Sequence, residues 1–174
     1  PDFTLMKSSE NTEKIAVDIK TTYRNFLRNK TWRAKFTLGS YASFMRNGTK
    51  NIAFPFLDYK KHYIIGFIYT REEIGDIHMF NLKDRHKITY PIKDVEYFCQ
   101  EKYKIADYTT GSGNTENIGS ITASSVDDFA NGVGPFSNLG EDVFLDYWVN
   151  FPRYRQKGHY RNLQEYFKWK SLQE

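Results

Sequence analysis

Alternating apolar and polar positions mark the segment "KIAVDIK" as a β-strand. Ile15, Val17 and Ile19 recur at every second position and therefore predict the buried face of this strand. The opposite face carries Asp18 and Lys20, whose side chains point the same way. The pattern thus predicts an acid and a base held side by side on an exposed strand face.

The same patterns divide the rest of the chain into strands, turns and helices. They predict strands over 3–7, 14–20 and 62–70, a strand or strand pair over 95–107, a turn at 8–13, a loop at 109–120, and helices over 41–51, 141–151 and 162–172. The strand at 62–70 is the most apolar and should be central. The predicted strands come first along the chain and the predicted helices come last, with both kinds of element between them. This order indicates an α/β or α+β sheet domain.

Aromatic residues at helical spacing predict how the two last helices are held. Phe144, Tyr147 and Trp148 are expected in the core. The aromatic residues of the final helix are expected to dock it on the domain; they are Tyr166, Phe167 and Trp169.

The length of the chain predicts the number of domains, and the distribution of charge bears on the kind of partner. A chain of 174 residues has the typical length of one domain, so residues 1–174 are predicted to form a single domain. The net charge is +4, and basic residues concentrate at 20–35 and 153–161, where aromatic residues are interleaved. Such runs suit the phosphates of duplex DNA, although a solvated basic surface has the same composition.

Cysteine content and the apolar runs bear on the compartment. Cys99 is the single cysteine, so an intrachain disulfide is impossible and a reducing compartment is expected, with Cys99 as a small core residue. The longest apolar run, 63–69, is far shorter than the ~20 residues of a membrane helix. We therefore expect a soluble intracellular protein with no membrane partner. Because the chain opens at Pro1 inside strand material, we also expect a fragment.

Asp2, Asp18 and Lys20 form a sparse nuclease pattern: Pro-Asp, fifteen intervening residues, then Asp-x-Lys. Two carboxylates suit Mg²⁺, which prefers oxygen ligands, and a nearby ammonium group stabilises charge that develops on a phosphodiester. The pattern alone is weak, because acid-x-Lys pairs are common on solvated strands. For Asp2 to join the pair, the first two strands must form a hairpin with residues 2 and 18 at its open end.

The loop "GSGNT" at 111–115 is the second candidate. Glycines allow the backbone to approach a ligand closely, and Asn114 offers the bidentate contact that reads adenine in the major groove. The loop lacks the lysine of a phosphate-binding P-loop. From composition alone, an ordinary surface loop is the favoured interpretation.

Five segments together resemble the EcoRV family of type II restriction endonucleases, within the restriction-endonuclease-like PD-(D/E)xK nucleases. They are "PDFTLMKSSENTEKIAVDIKTTY", "KFTLGSYASFMRNGTKNIAFPF", "YIIGFIYTR", "IADYTTGSGNTENIGSI" and "EDVFLDYW". The resemblance runs in order along nearly the whole chain. It implies an α/β fold with a restriction-endonuclease-like mixed β-sheet flanked by helices.

The resemblance also implies a function and its residues. Asp2 and Asp18 match the metal-binding carboxylates and Lys20 the catalytic lysine of a Mg²⁺-dependent enzyme that cuts duplex DNA at GATATC and leaves blunt ends. The recognition loop that reads the outer bases is matched by Gly111, Ser112, Gly113, Asn114 and Thr115. Positions near the DNA backbone are matched by Thr22, Ser43, Lys50 and Arg153.

The chain departs from the family before its Pro-Asp, where the family carries a dimerisation subdomain. The family acts as a symmetric homodimer in the bacterial cytoplasm. One alternative is therefore a DNA-binding fragment that recognises the sequence without cutting it. Another is a basic interaction domain in which the nuclease resemblance is vestigial.

Overall fold

The computed structural model describes residues 1–6, 13–48, 53–73, 79–111, 116–152 and 160–173. The strands are β1 (Phe3–Met6), β2 (Lys14–Tyr23), β3 (Asn25–Phe26), β4 (Trp32–Arg33), β5 (Thr37–Ser40), β6 (Tyr59–Arg71), β7 (Ile92–Glu101), β8 (Ala106–Thr110) and β9 (Asn117–Ser120). The α-helices are α1 (Lys102–Ile105), α2 (Val126–Ala130), α3 (Glu141–Asn150) and α4 (Leu163–Lys170). Shorter helical segments are a π-helix at Tyr41–Arg46 and 3₁₀ helices at Phe56–Asp58 and Leu82–Lys87.

A mixed sheet with the strand order β1-β2-β6-β7 forms the centre of the fold. β2 and β6 run parallel, with Asp18 opposite Ile64, while the other pairs are antiparallel. β1 and β2 form the predicted antiparallel pair, in which Phe3 lies opposite Val17. The predicted interior position of the apolar strand β6 is confirmed. With helices flanking this mixed sheet, the predicted α/β class is also confirmed.

The alternation in β2 is confirmed, but the predicted buried face is wrong. Val17 is buried, yet Ile15 is half-buried and Ile19 is 38% exposed. The opposite face begins with the buried Ala16 and continues across β6 with the fully buried Ile64. The reason is that the hydrophobic core lies on that second face, where the remaining elements pack. Periodicity fixes which residues share a face, but not which face is covered.

A second sheet of three antiparallel strands, in the order β5-β9-β8, packs into the same core. Its buried residues Leu38 and Ile118 lie in one cluster with Ile64 and Phe98 of the central sheet. The segment predicted as one strand or a strand pair is β7 and β8, separated by the single turn of α1. The loop predicted at 109–120 is shorter than expected, because β9 already begins at Asn117.

Helix α3 begins after Gly140, whose φ of 94° is accessible mainly to glycine. Two acidic residues lie in its first turn, where they complement the helix dipole. α4 begins with a capping box, in which the Asn162 side chain accepts a hydrogen bond from the Glu165 amide and Glu165 accepts one from the Arg161 amide. These signals explain why both helices start close to their predicted positions.

The aromatic predictions are confirmed in α3 and only partly in α4. Phe144, Tyr147 and Trp148 are buried, and Tyr166 of α4 is fully buried with Trp169 packed partly against the core. The prediction for Phe167 is wrong, since this ring is largely exposed.

The prediction that Cys99 is a core residue is also wrong, since the cysteine is exposed. It pairs with Ile65 of β6 on the sheet face that the core does not cover. Among the described residues, no helix combines the length and the apolar character needed to cross a membrane.

Candidate active site

Asp2 is fixed against β2 by two hydrogen bonds. Its amide donates to the carbonyl of Val17 at 3.0 Å, and its Oδ2 accepts from the Ile19 amide at 2.6 Å. Together with the pairing of Phe3 and Val17, these bonds place Asp2 level with Asp18. The hairpin geometry required by the sequence pattern is therefore present.

Asp2, Asp18 and Lys20 meet in one cluster at the edge of the core. Lys20 Nζ lies 3.2 Å from Asp18 Oδ1 and 3.9 Å from Asp2 Oδ2. The Asp2 side chain is 50% exposed, that of Lys20 is 24% exposed and that of Asp18 is 14% exposed. The three polar groups are thus accessible to a ligand, while the pairing of β1 with β2 and the bond of the Asp2 amide to Val17 hold their backbones in place.

Lys102 is a fourth charged residue of this cluster, and sequence analysis missed it. It is the first residue of α1 and only 1% exposed, and its Nζ lies 4.0 Å from Asp18 Oδ2. Nothing in the run "QEKYK" distinguishes this lysine from a surface residue. Only the chain path from β7 into α1 carries it beneath β2.

Opposing effects act on the charges of Asp18 and Lys102. Burial raises the pKa of the Asp18 carboxyl, but Lys102 and then Lys20 outweigh this effect, so the pKa of Asp18 lies below its ordinary value. Burial lowers the pKa of Lys102, the Asp18 carboxylate opposes that shift, and Lys20 adds to it. The carboxylate form of Asp18 is therefore favoured, and Asp18 in turn favours the charged form of Lys102.

The donor set of the cluster fits a hard divalent cation. Asp2 and Asp18 present carboxylate oxygens close to the same ammonium nitrogen. Across the described part of the chain, no group of three or more His, Cys, Asp or Glu side chains is placed to hold a metal ion. Mg²⁺ is commonly bound through one or two carboxylates while it keeps several water ligands, and it needs no closed protein cage. Two carboxylates at the rim of the core match that mode of binding.

The glycine-rich loop lies between β8 and β9, and of its five predicted residues only Gly111 falls within the described residues. The Gly111 amide donates to the carbonyl of Asn117 at 2.9 Å and closes the stem of the loop. A methyl group added at Gly111 would lie 3.1 Å from Thr37 Oγ1, so a side chain has little room there. The prediction for Ser112, Gly113, Asn114 and Thr115 concerns positions outside the described residues.

The stem of this loop is tied to the π-helix at Tyr41–Arg46. The carbonyl of Glu116 accepts hydrogen bonds from the Ser40 hydroxyl and the Tyr41 amide, each at 3.1 Å. On the other strand, the buried Tyr147 hydroxyl donates to the carbonyl of Tyr108 at 2.8 Å. The sequence pattern predicts Tyr147 in the core but gives no sign of this contact, because periodicity does not show where a hydroxyl group points.

The remaining predicted DNA-binding residues lie at different places. Thr22 follows Lys20 by two positions in β2 and is half-buried on the same strand face. Ser43 is in the π-helix, where its amide donates to the Ser40 hydroxyl at 2.9 Å. Lys50 and Arg153 lie outside the described residues. Thr22 is therefore beside the carboxylate cluster, while Ser43 belongs to the helix that borders the loop stem.

Part of the basic run at 20–35 serves the fold. Arg24 is buried, and its guanidinium donates to Thr70 Oγ1 at 3.2 Å, to the carbonyl of Asp94 at 2.6 Å and to the carboxylate of Glu96. Its charge is therefore unavailable to a ligand. Other members of the run are exposed; they are Arg28, Lys30 and Arg33.

Comparisons with known proteins agree with this architecture. The profile of the family described as "Restriction endonuclease EcoRV" matches residues 1–171. The type II restriction enzyme EcoRV of Escherichia coli is 48% identical over 173 residues, which cover 97% of this chain and 68% of the relative. The resemblance drawn from the five segments is thereby confirmed. This chain belongs to the EcoRV family of restriction endonucleases, which are enzymes.

Proposed function

We propose that this chain hydrolyses phosphodiester bonds of duplex DNA at GATATC, that it requires Mg²⁺ and that it leaves blunt ends. The observation that carries the proposal is the meeting of Asp2, Asp18 and Lys20 at the rim of the core. Family membership supports site-specific DNA cleavage, and the residues of the cluster supply the chemistry.

In this proposal Asp2 and Asp18 hold the metal ion through their carboxylate oxygens. The chemistry that a bound Mg²⁺ supplies is neutralisation of phosphate charge and a lower pKa for a water molecule. Asp2 is oriented by the Ile19 amide, and Asp18 is kept ionised by its two lysine neighbours. Lys20 directs its ammonium group at the oxygens on which negative charge develops during cleavage.

The loop at 111–115 reads the outer bases of the target in this proposal. The bond from the Gly111 amide to the carbonyl of Asn117 closes the stem of this loop, and Asn114 offers the bidentate contact that reads adenine in the major groove. Thr22, Ser43, Lys50 and Arg153 contact the DNA backbone and set the register of the protein on the duplex. The central TA step is a pyrimidine–purine step, which deforms comparatively easily, so that its sequence is read through DNA shape.

Cleavage of both strands of a palindrome requires two copies of the catalytic cluster. We therefore propose that the enzyme acts as a homodimer in the bacterial cytoplasm. Each protomer then places its recognition loop on one half of the site.

The direct test is incubation of the purified chain with a plasmid that contains one GATATC site. We expect a linear product with blunt ends in Mg²⁺ and none in EDTA, and no product from a plasmid in which the site is changed by one base pair. Asp2→Asn and Lys20→Ala should each abolish cleavage. The matched controls are Asp58→Asn and Lys60→Ala, because these side chains are themselves exposed and pair with Lys14 and Glu13, respectively, away from the cluster.

The alternative is a chain that binds the site without cutting it, since the chain matches 68% of the length of its relative. A folded protein that binds GATATC but yields no product in Mg²⁺ would favour this alternative. Equal affinity for cognate and scrambled duplexes would remove the base-reading role of the loop at 111–115.

A further inference from the structure

Lys102 approaches Asp18 from the interior of the protein. Its Nζ is 4.0 Å from Asp18 Oδ2 and 5.9 Å from the centroid of the Phe44 ring. A methyl group added at Gly39 would lie 3.6 Å from the same nitrogen. Since Lys102 is only 1% exposed, its amino group is enclosed by a carboxylate, an aromatic ring and backbone.

The two lysines of the cluster contact different oxygens of Asp18. Lys20 Nζ lies near Asp18 Oδ1, and Lys102 Nζ lies near Asp18 Oδ2. Lys20 Nζ also lies near Asp2 Oδ2. With both lysines protonated, two carboxylates meet two ammonium groups, and the formal charge of the cluster is zero. The electrostatic attraction of a divalent cation to this cluster is therefore weaker than its attraction to two carboxylates without neighbouring lysines.

The two ammonium groups differ in their freedom to respond to a cation. Lys20 is partly exposed, so water screens its charge and its side chain has space to turn outward. Lys102 has no such space, and its charge acts through the protein interior, where screening is weak. Rotation of the Lys102 side chain therefore cannot relieve the repulsion between its ammonium group and a bound cation.

We propose that Lys102 is a built-in counter-ion that lowers the affinity of Asp2 and Asp18 for a divalent cation. The free protein then binds the ion weakly, and the negative charge of a DNA phosphate raises the affinity for the ion when DNA is bound. This inference rests on the proposed function, which assigns the metal ion to these two carboxylates. Lys102 acts through Asp18 and is a positioning residue, because it is too deeply buried to touch the substrate.

The test measures Mn²⁺ binding to the whole chain without DNA, by the loss of the electron paramagnetic resonance signal of the free ion. Lys102→Met keeps the length of the side chain and removes the charge. We expect the dissociation constant for Mn²⁺ to fall about tenfold or more, as Coulomb repulsion at this range predicts. A residue with a merely structural role would weaken metal binding on substitution, so the direction of the change is diagnostic.

Two further variants serve as controls. Lys102→Arg keeps the charge and should retain the affinity of the parent protein. Lys104→Met removes a charge from the same helix, but Lys104 pairs with Glu101 at 2.7 Å, and Mn²⁺ affinity should stay unchanged. Unchanged or weaker Mn²⁺ binding by folded Lys102→Met would overturn the inference. Should that variant not fold, Lys102→Gln takes its place, with the same expected direction and the same overturning result.

Asp2→Asn separates failure of this inference from failure of the proposed function. If Asp2→Asn leaves Mn²⁺ binding at the parent level, the metal ion binds elsewhere, and both are wrong. If Asp2→Asn abolishes binding and the uncharged Lys102 variants bind no more tightly than the parent, only the counter-ion role is wrong.

Discussion

The main-chain amide of Ile19 donates a hydrogen bond of 2.6 Å to the carboxylate of Asp2, a residue seventeen positions earlier in the chain. This contact joins the end of one strand to the middle of the next and orients a side chain that is otherwise half exposed. The acid of the Pro-Asp dipeptide therefore contributes to the fold as well as to the candidate site, and the two contributions are separable by substitution.

Asp2→Ala should destabilise the chain, whereas Asp2→Asn should leave its stability nearly unchanged. Alanine removes the acceptor of the Ile19 amide, and a hydrogen bond of this kind contributes about 1 kcal/mol. Asparagine keeps an acceptor oxygen and removes the charge. Urea unfolding of the three proteins measures the difference, and cleavage should be lost in both variants. Equal destabilisation by both substitutions would show that charge, and not the hydrogen bond, fixes this residue.

Asp18→Asn should be strongly destabilising, and Lys102→Met should reverse most of that loss. Removal of the carboxylate leaves the buried Lys102 without its ion-pair partner, which typically costs about 3 kcal/mol or more in the free energy of unfolding. Methionine at 102 removes the buried charge as well. A double-mutant cycle by urea unfolding gives the coupling energy. Additive effects of the two substitutions would contradict a direct interaction.

The free energy of unfolding should fall on acidification because of His62. This imidazole is buried, and burial followed by the nearby Lys102 lowers its pKa from 6.5 to about 3. Since the unfolded chain takes up the proton below pH 6.5 and the folded chain does not, the stabilisation is present above pH 6.5. It is lost as the pH falls toward 3, at up to about 1.4 kcal/mol per pH unit.

His62→Phe should flatten this pH dependence, because the ring already stacks on Phe56 and a phenyl group carries no proton. The control is His86→Asn, in an exposed 3₁₀ helix, which should keep the slope of the parent protein. Urea unfolding at several pH values between 4 and 7.5 (about one unit apart) measures the slopes. An unaltered slope in His62→Phe would assign the acid sensitivity to other groups.

Tyr147→Phe should reduce sequence discrimination more than overall DNA affinity. Its hydroxyl supports the carbonyl of Tyr108, three residues before Gly111, and loss of the bond loosens the stem of the proposed recognition loop. We expect about a fivefold loss in the ratio of cognate to scrambled affinity, in keeping with one hydrogen bond. The control is Tyr160→Phe, whose hydroxyl donates to the Tyr147 carbonyl in α3 and does not reach the stem. An equal loss of discrimination in both variants would attribute the effect to general destabilisation.

The parts of the fold that local patterns determine were predictable from the sequence. Alternation located β2, and aromatic residues at helical spacing placed α3 and α4 close to their observed positions. The sequence predicted that Asp2 meets Asp18 only on the condition that the first two strands form a hairpin with both residues at its open end, and the register of β1 and β2 meets that condition.

Properties that depend on which surfaces meet were not predictable. The covered face of β2 and the exposure of Cys99 follow from the docking of the second sheet on one side of the first, which no local pattern encodes. Lys102 is the clearest case, because a lysine in a polar run is predicted to lie on the surface. Its burial results from the path of the chain between two sheets.

The parallel pairing of β2 with β6 has a consequence for biosynthesis. Asp18 and Lys20 are translated before β6, the interior neighbour of their strand, which is complete only at Arg71, and Lys102 is translated later still. A nascent or cleaved polypeptide that stops before these elements carries both acids and the amine without the scaffold that assembles them. Under the proposed function, we expect such an incomplete chain to cleave no DNA.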